Sequence, residues 1–230
     1  MSINIYWACN EKEWLRAKEP EPIYTNFIKN IKDKNSKLNL CPSVKKYMNN
    51  TFSIKSIYDY SFTINENKNV FSEMHDQNFF NAHVQIRSMD DKLFSFKQQF
   101  LFFTEEKSLL MSAGLFPFLE NNNITKKCIP IPGTVDIGKW FRQMDFAFYL
   151  KNDFNNFNIE ENEIYQYVTF HTNKKINFKQ FKINNTLNDY LLDIENAKIS
   201  RKIKNRSLES YYSMFNHKKY IIKEIRKNII

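Results

Sequence analysis

Residues 127–150 read KCIPIPGTVDIGKWFRQMDFAFYL and hold two of the six prolines, two of the three glycines and one of the three tryptophans. Backbone constraints and large side chains are therefore specified together here. Pro130 and Pro132 push the residues before them out of the helical region, and Pro132-Gly133 has the composition of a turn centre, so extended chain running into a turn is expected. From Asp145, the residues Phe146, Phe148 and Leu150 alternate with Ala147 and Tyr149, the period of a strand. Two readings attach to the intervening loop. In one, Asp136, Lys139, Trp140 and Arg142 form a ligand-binding rim around a pocket at the end of that strand. In the other, Trp140 covers a sheet edge and Asp136 pairs with a neighbouring base, the commoner use of such residues.

Working outward, the same period recurs on both sides. Ile3, Ile5 and Trp7 alternate with polar or aromatic neighbours over residues 2–8, and residues 51–64 suggest a strand pair interrupted near Lys55 and Ser56. Residues 83–88 and 94–103 supply further strands, the latter one or two. Residues 164–170 and 176–183 suggest a hairpin with a bulge. Short helices are expected over residues 24–32 and, behind Pro42, to Met48. After residue 185 the period lengthens. Leu187, Tyr190, Leu191 and Ile194 make a helical stripe, residues 198–206 read as a basic linker, and further helices follow from about Ser207 and across Ile221 and Ile225. The expected architecture is mainly β: a β-sandwich or jelly-roll-like domain over residues 1–185 with short N-terminal helices, then a basic extension of amphipathic helices over 186–230 packed on that domain or on a partner.

Composition narrows the function classes. With 42% hydrophobic residues, 22 Phe and 12 Tyr, the chain has ample material for a core. Three glycines and the lack of any G-x-G-x-x-G or Walker A pattern argue against dinucleotide-binding and P-loop folds. The net charge of +9 is densest after residue 185, but 28 of the 34 basic residues are Lys, whereas base-specific contacts favour Arg. Cys9, Cys41 and Cys128 are odd in number and far apart, which predicts free thiols in a reducing compartment. No signal peptide, no apolar run of membrane-spanning length, no metal site and no cofactor are expected.

The search for chemistry yields few constellations. His75 stands next to Asp76, so an extended strand would point the two apart, and no H-x-D or H-x-E pair supports an iron oxygenase. No G-x-S-x-G elbow anchors a hydrolytic triad, and Glu105-Glu106 and Glu160-Glu161 lie at polar turns where solvated faces are commoner than paired glycosidase carboxylates. Lys202, Lys204 and Arg206 are the nucleic-acid candidates, beside Tyr211 and Tyr212; against them stands a solvent face of amphipathic helices. A noncatalytic binding or structural protein leads. A small-molecule or carbohydrate-modifying enzyme with a pocket near residues 133–145, and a nucleic-acid accessory protein, are the alternatives. A protein partner or homo-oligomer is the expected company.

The run PGTVDIGKWFR with the DFAFYL strand behind it, together with IYWAC, EWLRAKEP, CPSVKKY and SIKSIYDY, resembles an uncharacterised group of proteins encoded by marine T4-like tailed phages. The resemblance spans most of residues 1–185. It implies a gene product present in the cytoplasm of an infected bacterium, with virion association open, and it assigns no catalytic residue.

Overall fold

The longest strand, β7 (Leu93–Thr104), is the axis of the protein in its computed structural model. The structure describes residues 1–9, 15–24, 41–72, 75–115, 122–204 and 217–230, with backbone alone at 98, 99, 195 and 197–204. On one edge of β7 lies β11 (Gln143–Leu150); on the other, β1 (Ser2–Ala8) pairs with Leu101–Thr104 and β6 (Val84–Ser88) with Leu93–Phe96, end to end. β9 (Cys128–Pro130) extends the sheet beyond β11, and β14 (Lys175–Gln180) runs parallel to β1 at the opposite edge, giving six strands. A five-stranded antiparallel sheet orders β10 (Gly133–Asp136), β8 (Leu110–Gly114), β13 (Ile164–Phe170), β3 (Thr51–Lys55) and β2 (Glu21–Pro22). A third sheet joins β12 (Asn156–Ile159), β4 (Tyr60–Ile64) and β5 (Val70–Ser72). The fold is thus β-dominated, with strands in three sheets and a few helices.

Strand alternation places the core. Ile3, Ile5 and Trp7 of β1, Phe94, Phe96, Phe100 and Phe102 of β7, and Phe146 and Phe148 of β11 share one buried cluster with Met111, Val168 and Phe170 of the second sheet and Phe62 and Phe157 of the third. The rings stack, as between Phe148 and Phe157 at 5.1 Å, and meet edge to face, as between Phe102 and Phe170 at 5.7 Å. The opposite face of β1 and β7, carrying Tyr6, Ala8, Leu101 and Phe103, is also buried. Against it pack Leu187 and Ile194 of the 20-residue α-helix Asn185–Lys204 and Ile221 and Ile225 of the C-terminal helix Lys218–Lys227. A bidentate pair between Arg226 and Glu105, which also accepts from the Tyr6 hydroxyl, fixes the C-terminal helix to the sheet.

Several expectations change. Residues 164–183 are not a hairpin: β13 sits in the five-stranded sheet and β14 pairs parallel with β1, because the connection at His171–Lys174 carries the chain from one sheet to the other. Likewise β3 and β4 belong to different sheets and do not pair with each other. The stretch read as a basic linker continues the helix to Lys204; Lys, Arg and Ile are adequate helix formers, nothing there breaks the backbone, and cations suit a helix C-terminus. Gly133 has no positive φ and opens β10. Two short helices were not foreseen, Gln77–His83 and Asn123–Lys127, each started by a side-chain cap: Asp76 accepts from the Phe79 N–H and Asn122 from that of Thr125. The helix Pro42–Met48 forms behind its proline as expected. Trp14, the bulk of the helix expected at 24–32 and the helix expected from Ser207 lie outside the described residues.

Candidate functional site

The 127–150 stretch links the two larger sheets. β9 belongs to the first, Ile131 and Pro132 cross over, β10 belongs to the second, and β11 returns to the first. Beside this crossover a cleft of about 220 Å³ opens between the sheets. Its apolar walls come from Phe102, Ala113, Ile131, Val135, Ile137 and Met144, and its polar groups are Arg87, Trp140, Arg142, Asp145 and Gln166. A register shift between Gln143 and Asp145 lies at its edge, and another between Ile164 and Gln166 precedes the glutamine that faces it; bulges of this kind re-aim side chains beside sites.

Asp145 is the carboxylate of the cleft and two guanidiniums meet it. Arg87 donates through Nη2 at 3.1 Å and through Nε to Ser95 Oγ at 2.9 Å. Arg142 Nη2 stands 3.7 Å from the same carboxylate, its Nε donates to the Gln143 carbonyl at 3.1 Å, and its guanidinium lies 5.7 Å from the Trp140 ring centre. The Arg142 side chain is only 16% exposed, so its charge is held largely out of bulk water. Gln166 is 2% exposed.

The four residues expected at the rim divide. Trp140 and Arg142 line the cleft. Asp136 and Lys139 do not; they face a broader groove of about 1100 Å³ on the other side of Trp140, which Phe103, Phe141, Lys218 and Ile222 also line. Asp136 is absorbed by its own loop. Its Oδ1 accepts from the Leu109 and Gly138 N–H groups, both at 3.0 Å, and its Oδ2 from the Ser108 hydroxyl at 2.6 Å, with Lys139 Nζ at 3.2 Å. Partial burial works to raise its pKa, but the Ser108, Leu109 and Gly138 donors outweigh it and hold the carboxyl below its ordinary value. Gly138 is required by the same loop, since a Cβ there would stand 2.6 Å from the Glu106 carbonyl oxygen. Lys218 donates to the carbonyls of Glu106 and Gly138 and locks the helix onto this loop; burial lowers its pKa against the pull of Asp136, Glu105 and Glu106.

The histidines do not converge. His75 Nε2 contacts the Asp59 carbonyl, His83 Nδ1 the Phe79 carbonyl, and His171 Nε2 the Ser112 hydroxyl at 2.7 Å on an exposed sheet face. Among the described residues no cluster of His, Cys, Asp and Glu has the geometry of a metal site. No described helix is long and apolar enough to cross a membrane. The three cysteines form no disulfide, Cys9 and Cys128 are buried, and burial raises the Cys128 thiol to about 12. Of the nucleic-acid candidates, Lys202 and Lys204 lie in the last turn of the long helix, described by backbone alone, and Arg206 lies outside the described residues.

Arg87, Asp145 and Gln166 were missed in the sequence. The available signal was scarcity: in a chain with six arginines, two meet one carboxylate beside the proline-bounded crossover. No protein-family model matches the chain, and no curated protein sequence matches it.

Proposed function

We propose that this chain is a noncatalytic binding protein, a β-sandwich with jelly-roll-like elements whose two larger sheets are its layers and whose cleft beside residues 131–147 takes a small ligand. The parallel pairing of β1 with β14 departs from the antiparallel order of a jelly roll. The observation that carries the reading is the lining of the cleft: apolar walls from both sheets with a few polar groups converging at one side, the general form of a small-molecule site. At about 220 Å³ it is somewhat larger than a cavity that holds benzene, about 150 Å³, and smaller than drug-sized pockets. Among the described residues its lining contains no histidine, cysteine or lysine, and Asp145 is engaged by two guanidiniums, an arrangement suited to recognition and poor for proton transfer. The resemblance to the phage-encoded group supports action in the cytoplasm of an infected bacterium.

A panel of compact aromatic and branched aliphatic fragments, screened by ligand-observed NMR, tests the proposal. Gly133 lines the cleft and a Cβ added there meets no atom within 4 Å, so Gly133→Val is expected to take up part of the cleft. Fragments should bind the parent chain and lose binding in Gly133→Val while its unfolding midpoint is unchanged or raised. Binding that survives in Gly133→Val would move the site elsewhere.

A further inference from the structure

The chemistry of the cleft's polar side selects among ligands. Among the described residues, those lining it carry two guanidiniums against one carboxylate, a formal charge of +1, and are otherwise uncharged. Both arginines are positioned before any ligand arrives. Arg87 is pinned across the sheet by Ser95, which is itself fully buried, and by Asp145, leaving further N–H groups of its fork for a second acid. Arg142 is held by the Gln143 carbonyl and stands over Trp140, so its plane is oriented. Preset guanidiniums lose little freedom on binding and match a carboxylate in geometry as well as in charge. A cationic ligand would meet two like charges and only a carboxylate already engaged twice. A large anion such as a nucleotide would not fit about 220 Å³.

We infer that the ligand is a small organic monoanion with a compact apolar body, its acid group received by Arg142 and Arg87 and its body placed against Trp140, Val135 and Met144. This rests on the proposed reading of the cleft as a ligand site. Gln166, buried on the second sheet, lines the same space.

Phenylacetate and phenylacetamide differ in charge and hardly in shape, and calorimetric titration of each into the full chain separates the two readings. The acid is expected to bind at least about tenfold more tightly than the amide, as loss of a charge-assisted hydrogen bond implies. Arg142→Gln and Arg87→Gln should each bring the acid close to the amide, while Arg142→Lys keeps part of the preference. The preference should also shrink with added salt. Equal binding of acid and amide, both abolished by Gly133→Val, would overturn the anion inference and leave the cleft reading standing. A fragment panel whose hits are all neutral would do the same. Failure of both probes and of the whole panel would overturn both readings.

Discussion

Replacing Asp136 tests whether the loop of the 127–150 stretch is built by hydrogen bonds or kept for a ligand. In Asp136→Ala, the N–H groups of Leu109 and Gly138 lose their acceptor and the Ser108 hydroxyl loses its own. The side chain is 12% exposed, so water replaces it incompletely. With about 1–3 kcal/mol for each donor left unpaired in a poorly hydrated place, discounted for partial access, the loss is about 2–4 kcal/mol. For a domain of this size that lowers Tm by about 4–16 °C. Asp136→Asn keeps an oxygen for the two backbone donors and gives up the charge, so it should cost less than half as much. The pH dependence follows from the direction of the shift. A carboxyl whose folded pKa is depressed contributes stability that is fully present above its unfolded value near 4 and is lost as pH falls through the lower folded value. Urea unfolding at pH 7 and again below about pH 4 should therefore show the margin of the parent chain over Asp136→Asn shrinking in acid. An alanine variant within about 0.5 kcal/mol of the parent, or a margin that grows in acid, would refute the reasoning.

Other expectations rest on separate features. Gly138→Ala drives a Cβ to 2.6 Å from one backbone atom and 3.0 Å from another and should destabilise by about 1–3 kcal/mol, whereas Gly133→Ala meets open space and should be neutral or stabilising by up to about 1 kcal/mol; paired urea titrations compare them. Tyr6→Phe removes a hydroxyl bonded to Glu105 and should cost about 1 kcal/mol, read as a Tm lowered by about 2–4 °C. Cys41, whose thiol is lowered by the Val44 and Ser43 N–H groups, should react with iodoacetamide at neutral pH, while Cys9 and Cys128 stay protected until unfolding; peptide mass spectrometry after a timed pulse measures this.

Strand existence was legible and strand pairing was not. Alternation in Ile3, Ile5 and Trp7, and in Phe146, Phe148 and Leu150, reports which residues share a buried face, and those faces are buried as read. It carries no statement of which strand lies alongside, so the break between β13 and β14 looked like a hairpin although it is a passage between sheets. The short helices at Gln77 and Asn123 were obscured because their chains are too short for a helical period; only the capping residues Asp76 and Asn122 betray them. Half of the expected rim lines the cleft. Trp140 and Arg142 do so, but Asp136 serves its own loop, and Arg87 lies 55 residues before Arg142, on a strand brought near by β7. Register shifts at Gln143–Asp145 and Ile164–Gln166 then set which side chains face inward, and a period-two pattern cannot foretell its own interruption.

The parallel pairing of Ser2–Trp7 with Lys175–Gln180 has a consequence in time. The strand Ser2–Ala8 must wait for a partner some 173 residues later, about 10–35 s at ordinary rates of synthesis. Its earlier neighbour on β7, Leu101–Thr104, is itself about a hundred residues away. Until both have left the ribosome, a segment bearing Ile3, Ile5 and Trp7 on one face and Tyr6 and Ala8 on the other has neither face covered. Such a topology makes assembly slow and leaves the nascent chain exposed to aggregation, so yield in a cell should respond to the speed of translation and to chaperone supply as well as to the stability of the finished fold.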